Sequence, residues 1–222
     1  MTNPQVVSQA EWLEARKRLL IKEKEATKTN DALRAERQTL PMVQVEKDYT
    51  FESSNGPVSL LELFGERPQL IVQHFMFDPE WQDGCSSCSY AVDTLGPGHL
   101  KHLQDTDTAF VIVSRAPIEK LLAWKEKKGW DLPWVSSNGN DFNWDFHASI
   151  DPSVAPVMVN FRDEEEMAQA GMKPFEGELP GYSVFWRDGD SIYHTYSTFA
   201  RGVERLVSST QFLDLTPLGR QS

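Results

Sequence analysis

Two apolar runs constrain the fold of this chain more than any other feature. Residues 69–77 read QLIVQHFMF and residues 108–114 read TAFVIVS. Short apolar runs rich in β-branched residues are typical of strands buried on both faces, as in parallel sheets. The segment between them, SYAVDTLGPGHLKHLQ, is predicted to be helical up to about Leu95, with another turn of helix after Gly-Pro-Gly. This order predicts a βαβ unit with a parallel pair of strands.

The next segments extend the same pattern. Residues 116–130, APIEKLLAWKEKKGW, predict an amphipathic helix that has Pro117 near its first turn and Gly129 at its end. The sequence LPWVSS after it predicts a short third strand. Residues 137–180 are expected to be mostly loops, with one strand near 157–161 and a mobile acidic patch at Asp163–Glu166.

The last part of the chain predicts a β-hairpin and a helix. The run GYSVFWRDGDSIYHTYS alternates polar and apolar residues around Asp188-Gly189, a pair that favours a type I′ turn. A final helix is predicted from Ser197 or Thr198 onward. Alternating strands and helices followed by antiparallel strands form the thioredoxin architecture, a mixed central sheet flanked by helices.

A separate helical segment precedes this domain. Residues 8–38 predict one long polar helix, in which Ser8 and Glu11 form a capping box, and Pro41 ends it. We therefore divide the chain into an N-terminal helical extension, residues 1–41, and a thioredoxin-like domain, residues 42–222. A helix this polar is expected to pack on the domain or on a second subunit, which makes a homodimer possible.

Composition excludes several classes of function. The 222 residues carry a formal net charge of −11, which argues against a nucleic-acid-binding surface. No run of eighteen apolar residues is present, so no membrane span is expected. The first residues lack the basic and apolar regions of a secretory signal, and we expect a cytoplasmic protein.

Both cysteines of the chain lie in one short segment, DGCSSCSYAVD at residues 83–93. Cys85 follows the first buried strand and opens the next helix, where free N–H groups and the helix dipole stabilise a thiolate. Cys88, one turn further, can attack a mixed disulfide formed on Cys85. We therefore predict a redox pair in which Cys85 attacks the substrate and Cys88 resolves the adduct.

Two alternatives compete with this interpretation. The cysteines can be small buried hydrophobic residues without chemistry. They can also bind zinc with His99 and His102, since the spacing Cys-x2-Cys-x10-His-x2-His is close to that of a zinc finger. A chain with an ample core does not need a metal to fold, so neither a metal nor another cofactor is predicted.

The charges near the cysteines in sequence oppose high reactivity. Asp78, Glu80, Asp83 and Asp93 surround the pair, and no lysine or arginine occurs between positions 68 and 100. Negative charges raise a thiol pKa, whereas a helix N-terminus lowers it, and the sequence does not decide between them.

Three longer segments carry a family resemblance: QLIVQHFMFDPEWQDGCSSCSYAVD, VIVSRAPIEKLLAWKEKKGWDLPWVSS and ELPGYSVFWRDGDSIYHTYSTFARG. With the later LDLTPLGR, they resemble a bacterial thioredoxin-like family catalogued as a domain of unknown function, from about Glu11 to Arg220. The resemblance implies a thioredoxin-like fold. More distantly, the second segment is similar to peroxiredoxins.

Motif by motif, the chain departs from the two better-understood relatives. Pro79 lies six residues before Cys85, as in peroxiredoxins, but Gln82 stands where that family has a threonine. Thioredoxins have tryptophan directly before the first cysteine, where this chain has Gly84, and its nearest tryptophan is Trp81.

The same resemblances imply residues that position a substrate. Pro180 matches the place of the thioredoxin cis-proline, since only proline adopts a cis peptide bond at low cost. Arg201 is the candidate for the peroxiredoxin-type arginine, and Trp81 is the candidate for the tryptophan near the pair. The expected function is thiol–disulfide exchange or peroxide reduction, on a protein or small-molecule disulfide or a peroxide. The alternative is a non-enzymatic redox-sensing or binding module.

Overall fold

The structure is a computed structural model that describes residues 4–221. These residues form two compact units. One unit contains the chain up to Pro41 together with the residues from Ser209 onward, and the other is Met42–Ser208.

The described residues contain seven α-helices, two 3₁₀ helices and twelve strands. The α-helices are α1 Gln9–Gln38, α2 Ser86–Asp93, α3 Pro97–Gln104, α4 Ile118–Lys128, α5 Phe142–Asp145, α6 Glu164–Gln169 and α7 Ser208–Leu213. The 3₁₀ helices are Glu62–Phe64 and Ala200–Leu206. The strands are β1 Val43–Gln44, β2 Thr50–Ser53, β3 Gly56–Ser59, β4 Gln69–His74, β5 Thr108–Ser114, β6 Trp134–Ser136, β7 Ser149–Ile150, β8 Met158–Val159, β9 Arg162–Asp163, β10 Gly177–Glu178, β11 Gly181–Asp188 and β12 Ser191–Phe199.

The predicted N-terminal helix is confirmed as α1. Ser8 accepts a hydrogen bond from the backbone N–H of Glu11, and the Glu11 carboxylate accepts one from the backbone N–H of Ser8, which completes the capping box. No residue of α1 is buried.

Eight strands of the second unit form one mixed sheet in the order β1-β12-β11-β4-β5-β6-β2-β3. Strands β4, β5 and β6 run parallel, as the alternation of strands and helices requires. The hairpin β11–β12 adds antiparallel strands next to β4, and β2 and β3 form a second hairpin whose loop is Ser54-Asn55. Two small two-stranded sheets, β7–β10 and β8–β9, lie outside the main sheet.

The sheet separates two cores because successive residues of a strand point to opposite faces. In β5, Val111 and Val113 belong to one core and Ile112 to the other. We call the first the α5-side core, because it includes Phe142 of α5. We call the second the cysteine-side core, because it includes Cys88, and α2 and α4 pack there.

Three details differ from the sequence prediction. The β11–β12 loop consists of Gly189 and Asp190, and only Gly189 has positive φ, so the predicted type I′ turn at Asp188-Gly189 is wrong. Strand β12 continues to Phe199, and a 3₁₀ helix follows instead of an α-helix from Ser197. Cross-strand pairing with β11 outweighs the local helical preference there.

The acidic segment Asp163–Glu166, predicted to lie in a loop, instead begins a short helix. Asp163 accepts a hydrogen bond from the backbone N–H of Glu166, and Glu166 accepts one from the backbone N–H of Asp163. This capping box begins α6, and the acidic residues in its first turn interact favourably with the positive end of the helix dipole. The charges therefore mark a helix start.

Candidate functional site

Cys85 lies where the chain leaves the loop after β4 and enters α2. It is the N-cap residue of α2, and its backbone N–H donates to the carbonyl of Met76 at 3.1 Å. Its own carbonyl accepts from the backbone N–H and from the hydroxyl of Ser89, both at 2.9 Å. These bonds fix the backbone of Cys85, while its side chain remains half-buried.

Cys88 lies one turn further along α2 and is only 4% exposed, and both cysteines are free thiols. A hydrogen bond from the Cys88 thiol is the largest influence on Cys85, whose pKa falls to about 6. Burial opposes this fall, and the backbone N–H groups of Cys88 and Ser87 and the Ser87 hydroxyl add to it. Cys85 is therefore largely ionised at neutral pH.

The pKa of Cys88 shifts in the opposite direction. Its hydrogen bond to Cys85 is the largest cause of the rise, followed by burial and by the negative charge of Cys85. The backbone N–H of Met76 lowers the Cys88 pKa, and the nearby carboxyl of Glu178 raises it. The site thus presents an accessible thiolate above a buried thiol.

Gly84 lets the loop before Cys85 approach the core closely. A Cβ atom at this position would lie 2.9 Å from a ring carbon of Phe75 and 3.1 Å from the indole nitrogen of Trp124. Trp124 in turn donates to the hydroxyl of Ser89 at 3.2 Å. The tryptophan that thioredoxins carry directly before the cysteine has no room here.

Lysines of α4 pair with two of the acidic residues near the cysteines. Lys127 forms an ion pair with Asp83 at 3.1 Å, and Lys128 forms one with Asp93 at 3.3 Å. The two residues of each pair lie 44 and 35 positions apart in the sequence, so the local count of charges missed both lysines. The expected repulsion of a thiolate by its sequence neighbours is thereby weakened.

A third α4 lysine fixes the loop itself. The ammonium of Lys120 donates to the carbonyl of Pro79 at 2.6 Å and to that of Trp81 at 3.0 Å. The loop between β4 and α2 thus has its shape set by a side chain from the helix packed beside it.

A partly buried ion cluster, whose Glu178 charge acts on Cys88, was not found from the sequence. Arg115, directly after β5, bonds to Asp78 and, at 2.7 Å, to Glu178. Glu178 also accepts from the hydroxyl of Ser149 at 2.9 Å, and its side chain is 1% exposed. Burial raises the pKa of Glu178, and the Arg115 charge opposes that rise. The position of Arg115 directly after a buried parallel strand was the one available signal.

Pro180 lies between two residues that interact electrostatically with Cys88. Glu178 precedes it by two positions, and Tyr182 follows it by two, with its pKa raised by burial and by the charge of Cys88. No peptide bond among residues 4–221 is cis, so Pro180 is trans, and the cis-proline of thioredoxins has no counterpart at this position.

The other two sequence candidates lie in different environments. Trp81 belongs to the loop that Lys120 holds and is 38% exposed. Arg201 opens the second 3₁₀ helix, where its side chain is 88% exposed and paired with Glu204. Among the contacts of residues 4–221, none joins Arg201 to either cysteine. Arg115 instead bonds to Glu178, the carboxyl whose charge acts on Cys88.

The zinc alternative lacks a ligand set. His99 and His102 lie on α3, and within the described part of the chain no three histidine, cysteine or acidic side chains are grouped so as to hold a metal ion.

The fold of this chain is similar to that of several solved structures. A PrxQ mutant from Xylella fastidiosa superimposes with a TM-score of 0.50 at 10% identity, covering 75% of this chain and 87% of its own. Peroxidoxin BcpB from Mycobacterium tuberculosis gives 0.48 at 12% identity, covering 77% and 95%. A putative protein disulfide isomerase from Bacteroides thetaiotaomicron gives 0.43 at 17% identity, covering 78% and 89%.

The parallel β4–β6 core, the cysteine pair at the start of the helix after β4 and the β11–β12 hairpin define a protein of the thioredoxin fold. Within this class, the chain belongs to the family described as bacterial protein of unknown function (DUF899), whose model matches residues 1–222. No curated protein matches the chain.

Between residues 4 and 221, no helix is both long enough and apolar enough to cross a bilayer.

Proposed function

We propose that this protein is a thiol–disulfide oxidoreductase whose Cys85–Cys88 pair cycles between dithiol and disulfide. One observation carries the proposal: a half-buried thiolate at a helix N-terminus lies beside a buried thiol one turn away. A lowered pKa and partial exposure are the properties of reactive cysteines.

In the first step, the Cys85 thiolate attacks one sulfur of a substrate disulfide. A bond forms between that sulfur and Cys85, the substrate S–S bond breaks, and the other substrate sulfur leaves as a thiolate that takes a proton from solvent. A pKa of about 6 keeps Cys85 ionised at neutral pH, so this step needs no separate base.

In the second step, Cys88 loses its proton and attacks the sulfur of Cys85. The Cys85–Cys88 disulfide forms and the second substrate sulfur leaves, so the substrate gains two electrons and the protein loses two. The thiolate of Cys85 is the main reason for the high pKa of Cys88. Because the first step consumes this thiolate, it also lowers the barrier to deprotonating Cys88.

A peroxide is the second candidate oxidant. Attack of Cys85 on the O–O bond would give a sulfenic acid and release an alcohol or water, and Cys88 would then form the disulfide and release water. The half-buried thiolate of Cys85 supports this candidate as it supports the first. Either cycle suits the cytoplasm, where disulfides are usually transient and catalytic or redox-sensing.

The test is a thiol count by mass tagging before and after one equivalent of hydrogen peroxide or, separately, of hydroxyethyl disulfide. We expect both tags to be lost together and to be recovered with dithiothreitol. Two tags retained on the native protein would contradict the proposal. Repeated turnover of the oxidant with dithiothreitol distinguishes an enzyme from a sensor, which oxidises once.

Single variants test the two roles. Cys88→Ser should accumulate a stable adduct on Cys85, because no resolving thiol remains, and Cys85→Ser should accumulate little. An adduct on Cys88 in the Cys85→Ser protein would reverse the assignment.

A further inference from the structure

A second site lies on the other side of the sheet. A cavity of about 560 Å³ opens beside the α5-side core, between the segment from β1 to Tyr49, the segment 145–147 and the end of β12. Its volume is within the range of small-molecule sites, about 300–1,000 Å³. The cysteines belong to the cysteine-side core, so this cavity does not take part in the dithiol chemistry.

Four of the thirteen residues that line the cavity are phenylalanine or tyrosine. Tyr49, Phe146, Phe161 and Phe199 line it, and the rings of Phe161 and Phe199 meet edge to face with centroids 5.7 Å apart. Aromatic walls with a few converging polar groups are the usual composition of a site for an organic ligand.

Phe161 occupies a backbone position that disfavours it. The β8–β9 hairpin has a two-residue loop, Asn160-Phe161, and both residues have positive φ, at 50° and 63°. Two positive φ values are the requirement of a type I′ turn, in which Asn-Gly is the favoured pair. A bulky residue at positive φ is strained, and such strain concentrates at functional sites. This strained loop places the side chain of Phe161, which is 54% exposed, at the cavity wall.

His147 supplies an available hydrogen-bonding group. It lines the cavity half-buried, and its ring makes no hydrogen bond with any residue between 4 and 221. Burial lowers the pKa of His147, with Asp145 opposing that shift, so the ring is neutral at pH 7. A neutral imidazole presents one N–H donor and one acceptor nitrogen.

Another part of the lining is fixed by a line of hydrogen bonds. His194 contacts the hydroxyl of Ser197 at 2.7 Å, Ser197 contacts Ser183 at 2.8 Å, and Ser183 contacts His74 at 2.8 Å. His194 and Ser197 line the cavity, whereas Ser183 and His74 are buried. The polar groups of this part of the lining are thus held in place before any ligand arrives.

The charges of the lining disfavour an anion. Glu46 and Asp145 contribute two carboxylates, and the lining's cationic side chain within the described chain is Lys47. The Lys47 ammonium already bonds to Asp145, at 2.9 Å, and to Asp141. An anionic ligand would therefore meet net negative charge without an available cation.

We propose that this cavity binds a neutral, flat aromatic molecule with a hydroxyl group, a phenol-type compound. Its ring packs against the wall of Phe161, Phe146 and Phe199, and its hydroxyl exchanges hydrogen bonds with the ring of His147. A hydroxyl donates and accepts at once, as a neutral imidazole does.

The test is titration of the full-length protein with 2-naphthol, followed by the fluorescence of the ligand. Naphthalene, which lacks the hydroxyl, and 2-naphthoate, which carries a negative charge, are the matched probes. We expect saturable one-to-one binding of 2-naphthol and much weaker binding of both others. Equal affinity for all three probes, or no saturable binding of 2-naphthol, overturns the proposal.

Two variants locate the site. Phe161→Gly creates the favoured Asn-Gly turn, so the melting temperature should stay or rise, while 2-naphthol binding weakens by up to about tenfold, as loss of an aromatic contact implies. His147→Asn keeps a residue that tolerates positive φ and removes the imidazole, and it should abolish the preference for 2-naphthol over naphthalene. Unchanged binding in both variants overturns the proposal.

Two controls separate this site from other effects. Asp107→Asn changes another residue of positive φ, at 55°, outside the cavity lining, and should bind 2-naphthol as the unsubstituted protein does. Cys85→Ser should also bind normally, so the failure of either proposed site leaves the other standing.

Discussion

Cys85 and Cys88 have opposite pKa shifts because they share one hydrogen bond. The bond stabilises the thiolate of Cys85 and at the same time holds the proton on Cys88. The helix N-terminus adds backbone N–H groups, but its contribution comes after that of the neighbouring thiol. Cys88 thus has two effects in the proposed cycle. It lowers the pKa of Cys85, and it later displaces the substrate sulfur from Cys85.

This sharing predicts the pH dependence of alkylation. Iodoacetamide should modify Cys85 with a midpoint near pH 6, because the thiolate forms as pH rises through the folded-state pKa of about 6. Cys88→Ala removes the donor and should move the midpoint to higher pH, towards that of an ordinary cysteine, about 8.5. Cys88→Ser retains an O–H donor and should stay closer to the unsubstituted protein. Identical midpoints in the Ala and Ser variants would show that the hydrogen bond is not the cause.

Gly84 provides a second prediction at the residue scale. Gly84→Ala places a methyl group against Phe75 and Trp124, so one of these large side chains must shift. We expect destabilisation of about 1–3 kcal/mol, as for overpacked cores, and slower alkylation of Cys85. Thermal or denaturant unfolding measures the first, and thiol labelling the second. Gly96→Ala is the control, since a Cβ there meets no atom within 4 Å.

At the scale of elements, α4 governs the loop that carries the cysteines. Its lysines pair with Asp83 and Asp93 and hold two carbonyl groups of the loop. The loop between β4 and α2 is therefore shaped by tertiary contacts as much as by its own residues.

Lys120→Met should loosen this loop. The two carbonyl bonds are lost, while the methionine keeps much of the apolar stem in place. We expect faster amide hydrogen exchange across residues 79–84 and a change in the alkylation rate of Cys85. Lys125→Met is the matched control, because no ion pair or hydrogen bond of the Lys125 side chain is found within residues 4–221. Equal exchange in both variants would contradict the role given to Lys120.

At the scale of the whole molecule, α1 is a 30-residue helix without a buried residue. Trp12, Leu19 and Leu33 recur at multiples of seven positions and are each at least 36% exposed. Isolated helices gain most of their stability from packing an apolar face, so α1 on its own would be marginal.

We therefore propose that α1 contributes to a homodimer. Light scattering should give the full-length protein a mass near twice 25.3 kDa. Leu19→Glu, on the recurring apolar face, should shift the mass towards that of a monomer. Ile21→Glu, about 200° away around the helix and 60% exposed, should not. A monomeric full-length protein at micromolar concentration would refute the proposal.

Most of the fold follows from local patterns in the sequence. The apolar side chains at 69–77 and 108–114 are all removed from water only if both faces of each strand are covered. This requirement leads to the parallel strands β4 and β5. The capping box at Ser8 marks the start of α1, and Gly129 marks the end of α4 with positive φ. Periodicity and caps act within a few residues, so a single sequence reveals them.

The position of the cysteines could also be predicted, because a strand followed by Cys-x-x-Cys at a helix start is itself a local pattern. The charged and packed residues that surround the cysteines could not be predicted in this way. Arg115, Glu178 and the lysines of α4 reach the site from separate elements, and Phe161 turns out to occupy a strained loop. The sequence alone thus determined the buried strands β4 and β5, the helices α1 and α4 and the place of the two cysteines at the start of α2. The tertiary structure decided the charge balance around them and the cavity on the other face, because electrostatic and packing interactions depend on distance in space and not on separation along the chain.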